Sequence, residues 1–235
     1  MTTVDDAFQA ARQLARQISS APPETPIPAS EITRLREQWA TPEQLAEILA
    51  ALQKDALARL DQTPREALGL ARVAHELAST DPDVHTRAET SLTLAIVQNR
   101  LGEFQNALRL CRSVVVEFEK CGEKVLAARG CFEAAWAQTF LGHLNDALAD
   151  AERARQMDPS DLMIARCDWI VARVLRDQGS YPEAEKLFEN SRAVFESAGM
   201  PLDAARCTRE LGHTYLRNER AEARMIFDGI RQRFE

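Results

Sequence analysis

The sequence predicts an all-α chain of about five stacked helical hairpins behind an N-terminal helical extension, and three observations carry that prediction. The first is a recurring phrase. Leu101-Gly102-Glu103-Phe104-Gln105-Asn106-Ala107-Leu108 returns as Leu141-Gly142-His143-Leu144-Asn145-Asp146-Ala147-Leu148, and again as Gln178-Gly179-Ser180-Tyr181-Pro182-Glu183-Ala184-Glu185. Weaker copies run over 61–68, without the glycine, and over 218–224, with Asn218 in its place. The shared alanine falls at 67, 107, 147, 184 and 223, in steps of 40, 40, 37 and 39 residues. A near-constant period of this length marks stacked repeats rather than one closed core. The second observation is composition: 45% hydrophobic residues, nine glycines, and an abundance of the good helix formers Ala, Leu, Arg and Glu. The third is that no sustained period-2 pattern occurs. Val114-Val115-Val116 is the one β-prone spot, and it lies inside a helical pattern.

Each element follows in order. Val4, Ala7, Phe8, Ala11, Leu14, Ala15 and Ile18 recur at helical spacing, so residues 1–20 read as an amphipathic helix. Residues 21–29 contain Pro22, Pro23, Pro26 and Pro28 and read as a stiff, extended linker, long enough to let the first helix move. A short helix follows Ser30, with Ile32, Leu35 and Trp39 on one face. Thr41-Pro42-Glu43 restarts a helix that runs to about Leu60, with a Thr cap and Pro at the first helical position. From there helix, tight turn and helix alternate within a repeat domain over 30–235. Its repeats span approximately 43–85, 86–127, 128–161, 162–200 and 201–235. Gly102, Gly142 and Gly179 sit where a first helix ends and the left-handed conformation is needed. The alanine five residues later lets two helices approach closely. The second helices carry apolar stripes: Phe104, Ala107, Leu108, Cys111, Val115 and Phe118 in one, and Tyr181, Ala184, Phe188 and Phe195 in another. Ala223, Ile226, Phe227, Ile230 and Phe234 form the last stripe.

The segment from Ala128 to Pro159 resembles a tetratricopeptide repeat. The resemblance rests on Phe140-Leu141-Gly142, Asn145-Asp146-Ala147-Leu148 and the closing Ala154-Arg155-Gln156-Met157-Asp158-Pro159. The other copies are longer than the usual ~34 residues. They are similar to the long tetratricopeptide variants of bacterial regulatory and signalling proteins. Phe195-Glu196-Ser197-Ala198-Gly199-Met200-Pro201 resembles the connection between repeats in that group, and Phe118-Glu119-Lys120-Cys121-Gly122-Glu123 echoes it. The resemblance covers roughly 43–235. It implies a right-handed superhelical solenoid and a scaffold that binds protein or peptide along its concave face, without catalysis.

Charge and motifs narrow the chemistry. A net charge of −7 and a pI of about 5.3 disfavour direct nucleic-acid binding. No stretch reaches the ~18 apolar residues of a membrane span. Five cysteines without a Cys-x-x-Cys fit a reduced, cytoplasmic protein. Cys111, Cys131, Cys167 and Cys207 fall at helix-packing positions, and Cys121 in a connection is the exposed one. No phosphate loop, dinucleotide fingerprint, nucleophile elbow or metal-ligand spacing is present, so no catalytic residue, metal or cofactor is expected. His75, His85, His143 and His213 are scattered singly. An enzyme reading requires acids such as Asp168 or Asp177 to cluster in a closed cavity.

The candidate binding surface is therefore a face. The packing stripe of the first helices is small, at Ala95, Ala134, Ala135 and Ala172. Positions offset by about one residue point toward the groove: Leu92, Ile96 and Asn99, then Phe132, Trp136 and Phe140, then Trp169, Arg173 and Arg176, and last Arg209, His213 and Arg217. Such a groove is aromatic at one end and basic at the other. It fits a protein or peptide with apolar anchors and acidic side chains. The same spacing also fits a plainer reading, in which these aromatics join the core, and a third, in which the face self-associates. The N-terminal helix either caps the first repeat or occupies the groove, its own or a neighbour's. The last stripe still faces outward at Phe234, as an interface or as part of a longer protein requires. A sensory or regulatory domain whose output domain is absent, and a homo-oligomer built through either terminus, are the alternative functions.

Overall fold

Five turns share one hydrogen-bond pattern. At the first of the glycine turns, Gly102 adopts φ 83°, and Glu103 N–H donates to the Gln98 carbonyl at 2.9 Å. This six-residue closure satisfies carbonyls that a helix end leaves open, and the positive φ makes glycine the residue of choice. The same closure recurs from His143 to Gln138 and from Ser180 to Leu175, and also between hairpins, from Glu123 to Phe118 and from Met200 to Phe195.

The computed structural model describes residues 4–22, 25–37, 41–218, 228–229 and 231. Along the described residues the chain forms α1 (Val4–Ser19), α2 (Ala29–Glu37), α3 (Pro42–Arg59), α4 (Pro64–Ala78), α5 (Val84–Leu101) and α6 (Phe104–Lys120). It continues through α7 (Lys124–Leu141), α8 (Leu144–Met157), α9 (Asp161–Asp177), α10 (Tyr181–Ser197) and α11 (Pro201–Arg217). Trp39 and the expected stripe at Ala223, Ile226, Phe227, Ile230 and Phe234 lie outside the described residues. No described residue is in a strand, and Val114–Val116 lie within α6. The helices group into two compact units, Met1–Glu123 and Lys124–Glu235.

In the first unit the hairpins α3–α4 and α5–α6 stack through α4–α5 and α3–α5 contacts. Ala67 and Ala107 are fully buried at the start of the second helices, where the two helices of a hairpin come closest. Thr41 caps α3, its hydroxyl accepting from Gln44 N–H at 3.3 Å, with Pro42 directly behind it. Asp83 caps α5 by accepting from the His85 and Thr86 amides at 3.1 Å each.

The N-terminal segment belongs to this unit. Helix α1 buries Ala7, Ala11, Leu14, Ala15 and Ile18 and packs on α4 and α3. Arg12 pairs with Asp55 at 3.1 Å, and Asp55 also accepts from Arg59 at 2.7 Å. The following segment is tied down as well. Arg72 donates to the Thr25 carbonyl, and Arg36 donates to the Leu77 carbonyl at 2.6 Å and the Glu76 carbonyl at 3.0 Å, closing the end of α4. Of the two places the sequence left open for α1, its packing on α3 and α4 fits the cap on the first repeat, and the Arg72 and Arg36 side chains tie the segment that follows it to α4 through backbone carbonyls.

Helix α1 approaches α4 closely at Gly69. A Cβ there lies 2.4 Å from the Ala15 carbonyl oxygen and from Ser19 Oγ. The serine can rotate away and the backbone oxygen cannot. Gly69→Ala therefore forces α1 outward, at an expected cost of about 1–3 kcal/mol. Thermal unfolding reads the loss, and faster hydrogen exchange confined to residues 4–19 locates it.

Candidate functional site

Within the second unit, the first helices α7 and α9 lie side by side, and α11 joins α9. Ala135, Ala147, Ala172 and Ala184 are fully buried, so the helix axes approach and the large side chains flanking them must meet. They meet as a ladder. Phe132 and Trp136 pack edge to face at 6.2 Å, and Trp136 lies flat on Trp169 at 4.3 Å with 4° between the ring planes. Trp169 then meets Phe188 of α10 edge-on at 6.5 Å. The Arg173 guanidinium lies over two rings, 4.1 Å from the centroid of Phe140 and 4.9 Å from that of Trp169.

Beyond Arg173 the ladder becomes ionic. Glu210 of α11 accepts from Arg176 at 2.5 Å and lies 3.4 Å from Arg173 and 3.1 Å from Arg209. Asp177 bonds Arg176 at 3.4 Å and Arg217 at 3.1 Å. Burial opposes the charge on Glu210, but the guanidiniums of Arg173, Arg176 and Arg209 outweigh it and hold the carboxyl below its ordinary range. His213 is also pushed down, first by partial burial and then by Arg176, Arg209 and Arg173, with Glu210 acting the other way. Together Phe140, Arg173, Arg176, Arg209, Glu210, His213 and Arg217 line an open cleft of about 350 Å³.

Of the readings the spacing left open, these positions fit the one in which the aromatics join the core. Phe132, Trp136 and Trp169 are buried, Trp169 to 3% exposure, as are Leu92, Ile96 and Asn99 on α5. The alanines that bring the first helices together leave no open space between the flanking rings, so the rings fill the interhelix layer. Arg173 and Arg176 are buried too, with Glu210 as their counter-ion. Four expected positions reach solvent: Phe140, at 41% exposure, and Arg209, His213 and Arg217.

Sequence reasoning missed Glu210. It is the only acid between Arg206 and Arg217, and it sits beside two positions assigned to the groove, Arg209 and His213. A single acid on an otherwise basic helix face was the available signal. Asp168 and Asp177 do not form a catalytic pair. They are nine residues apart on α9, about 13 Å along the axis, and Asp168 is bonded to Arg155 at 2.5 Å. Among the described residues no group of three or more metal-ligating side chains forms, and no helix is long and apolar enough to cross a membrane. Cys111, Cys131, Cys167 and Cys207 are buried and Cys121 is exposed. Burial raises the Cys167 thiol to about 11 and the Cys207 thiol to about 12, which keeps both protonated and unreactive.

Two expected outcomes follow from the packing. Trp136→Ala removes a stacked, buried indole and lowers stability by about 3–5 kcal/mol, where a groove residue leaves melting unchanged; denaturant unfolding measures it. Glu210→Gln strands the buried charges of Arg173 and Arg176 and costs about 3–5 kcal/mol at neutral pH. Because the folded-state carboxyl titrates below the ordinary 4.5, its stabilisation is complete above that value and is lost as pH falls through the lower folded value. The gap between wild type and E210Q therefore closes on acidification below about pH 4.5, which urea titrations at stepped pH detect.

No family model matches the chain, and no curated protein matches it. Solved structures do. A Rap protein complexed with competence and sporulation factor superposes with TM-score 0.67 at 19% identity, covering 96% of this chain. The chain spans 63% of the length of that protein. BtubC (BKLC) from P. vanneervenii is a second match, with TM-score 0.56 and 16% identity over 99% of this chain and 91% of that one. A third, the nearly identical TPR-like repeats of a Podosopora anserina kinesin light chain, gives TM-score 0.55 and 20% identity over 80% of this chain and 94% of that one. With the repeated glycine turns, the buried hairpin alanines and the all-helical chain, these likenesses give the fold: the protein is built of tetratricopeptide-like helical repeats.

Proposed function

We propose that this chain is a non-enzymatic protein- or peptide-binding module that receives its partner at the cleft on α9 and α11. The observation that carries the reading is the charge of that cleft. In a protein of net charge −7, its walls hold four guanidiniums, and the side chains of Arg209 and Arg217 are about half exposed. Phe140 offers an exposed ring at the rim, with the Arg173 guanidinium stacked on it. A partner segment with an acidic side chain and an apolar neighbour complements both features. Its aromatic anchor rests on Phe140 at the rim, because the interhelix layer is already filled.

The Rap protein was solved complexed with competence and sporulation factor, which supports ligand binding as a use of this fold. A sensory or regulatory domain of a signalling protein is the variant reading, and it rests on that neighbour.

The test uses an array of immobilised peptides that vary acidic and aromatic content, probed with the full chain and with an Arg209→Gln, Arg217→Gln variant. Acidic peptides with an aromatic residue are expected to bind, and the variant to lose more than about tenfold in affinity with melting preserved. Equal binding by the variant, or protection from hydrogen exchange on other helices only, overturns the cleft as the binding site.

A further inference from the structure

The walls of the cleft carry more positive charge than their own acids neutralise. Arg173, Arg176, Arg209 and Arg217 contribute four positive charges, and Glu210 and Asp177 return two, leaving a surplus of two (4 − 2) in a space of about 350 Å³. The donors are in surplus as well. Four guanidiniums offer about twenty N–H groups, whereas two carboxylates offer about eight acceptor sites. Arg173 Nε is buried and has no hydrogen-bond partner among the described residues. His213 adds no charge at neutral pH, since partial burial and its arginine neighbours favour the neutral ring.

Two further features narrow the ligand. Each cation on the walls is an arginine, whose planar fork matches tetrahedral and planar oxyanions in a way a lysine ammonium does not. The forks are also held in place before any ligand arrives. Arg173 lies over the Phe140 and Trp169 rings, Arg176 is bonded to Glu210 and Asp177, and Arg217 is anchored through Asp177. Little side-chain entropy remains to be lost on binding. A single carboxylate satisfies one charge of the surplus and at most four donors. A phosphate monoester brings a charge near −2 and three strong acceptor oxygens on one atom.

We infer that the cleft is a dianion subsite that receives the phosphorylated side chain of a peptide partner, with the arginine forks on the phosphoryl oxygens and the Phe140 ring against the group that carries them. The inference rests on the peptide-binding reading above and specifies the residue the cleft selects.

Phenyl phosphate is the minimal probe, with inorganic phosphate and benzoate as controls, each titrated by calorimetry into the full chain at pH 7.5. Phenyl phosphate is expected to bind at least tenfold more tightly than benzoate and more tightly than inorganic phosphate. Arg217→Gln and Arg209→Gln, both at exposed positions, are each expected to weaken it by about tenfold with melting preserved. A phosphotyrosine peptide is expected to compete with phenyl phosphate, and its unphosphorylated form not to. Benzoate binding as tightly as phenyl phosphate overturns the dianion inference and leaves the peptide-binding reading standing. Phenyl phosphate binding that no phosphopeptide displaces overturns the peptide source, and with it the proposed function at this cleft. No binding of phenyl phosphate, or equal binding by both variants, overturns the subsite itself.

Discussion

Each described hairpin depends on how closely its two helices come together, and one alanine governs that distance. Ala67, Ala107, Ala147 and Ala184 are all fully buried in the first turns of a second helix, directly behind the turn. A larger side chain at this point holds the helix axes apart, and the loss is felt along the whole hairpin because interiors are close-packed. The turn and the alanine act together. In the three hairpins that turn at Gly102, Gly142 and Gly179, the left-handed glycine and its six-residue closure aim the second helix back along the first, and the alanine lets it settle.

In the second unit the same closeness decides what the large side chains do. With Ala135 and Ala172 on the packing stripe, Trp136 and Trp169 have no route past each other except face to face. The stack fixes Trp169, and the Arg173 guanidinium lies over both the Trp169 and the Phe140 rings. A guanidinium held this way keeps its edge available for hydrogen bonds. Glu210 uses part of that edge. Removing both charges together is a gentler change than removing one, since a buried pair is worth far less than the penalty of leaving either partner alone.

The cleft also reconciles an acidic protein with an anionic ligand. Charges more than about 8 Å away are largely screened at physiological ionic strength, so the net charge of −7 matters little at the arginine walls. What an approaching anion meets is the local surplus, presented by groups whose positions are already set by stacking and by Glu210 and Asp177. Complementarity of this kind acts mainly through selection of the partner and through the rate of encounter.

The repeat, the turns and the buried face of the second helices were legible in the sequence. They depend on local chemistry: glycine at φ near 80°, a small residue five positions later, and apolar side chains at helical spacing. The Thr41 cap and the exposed Cys121 were legible for the same reason. The use of the first-helix face was not. Phe132, Trp136 and Trp169 have the spacing of a groove and of a core alike, and spacing within one helix says nothing about the distance to the next. Glu210 was missed because its meaning lies in Arg173 and Arg176, more than thirty residues away. Likewise, the fastening of α1 at Gly69 is a contact between backbone atoms of distant segments. The sequence by itself thus determined that the chain forms helical hairpins and where each one turns, because those are short-range preferences repeated along it. Only the tertiary structure decided which large side chains are sealed between helices and which remain at the cleft, because that depends on how near the helices come and on which charges meet when they do.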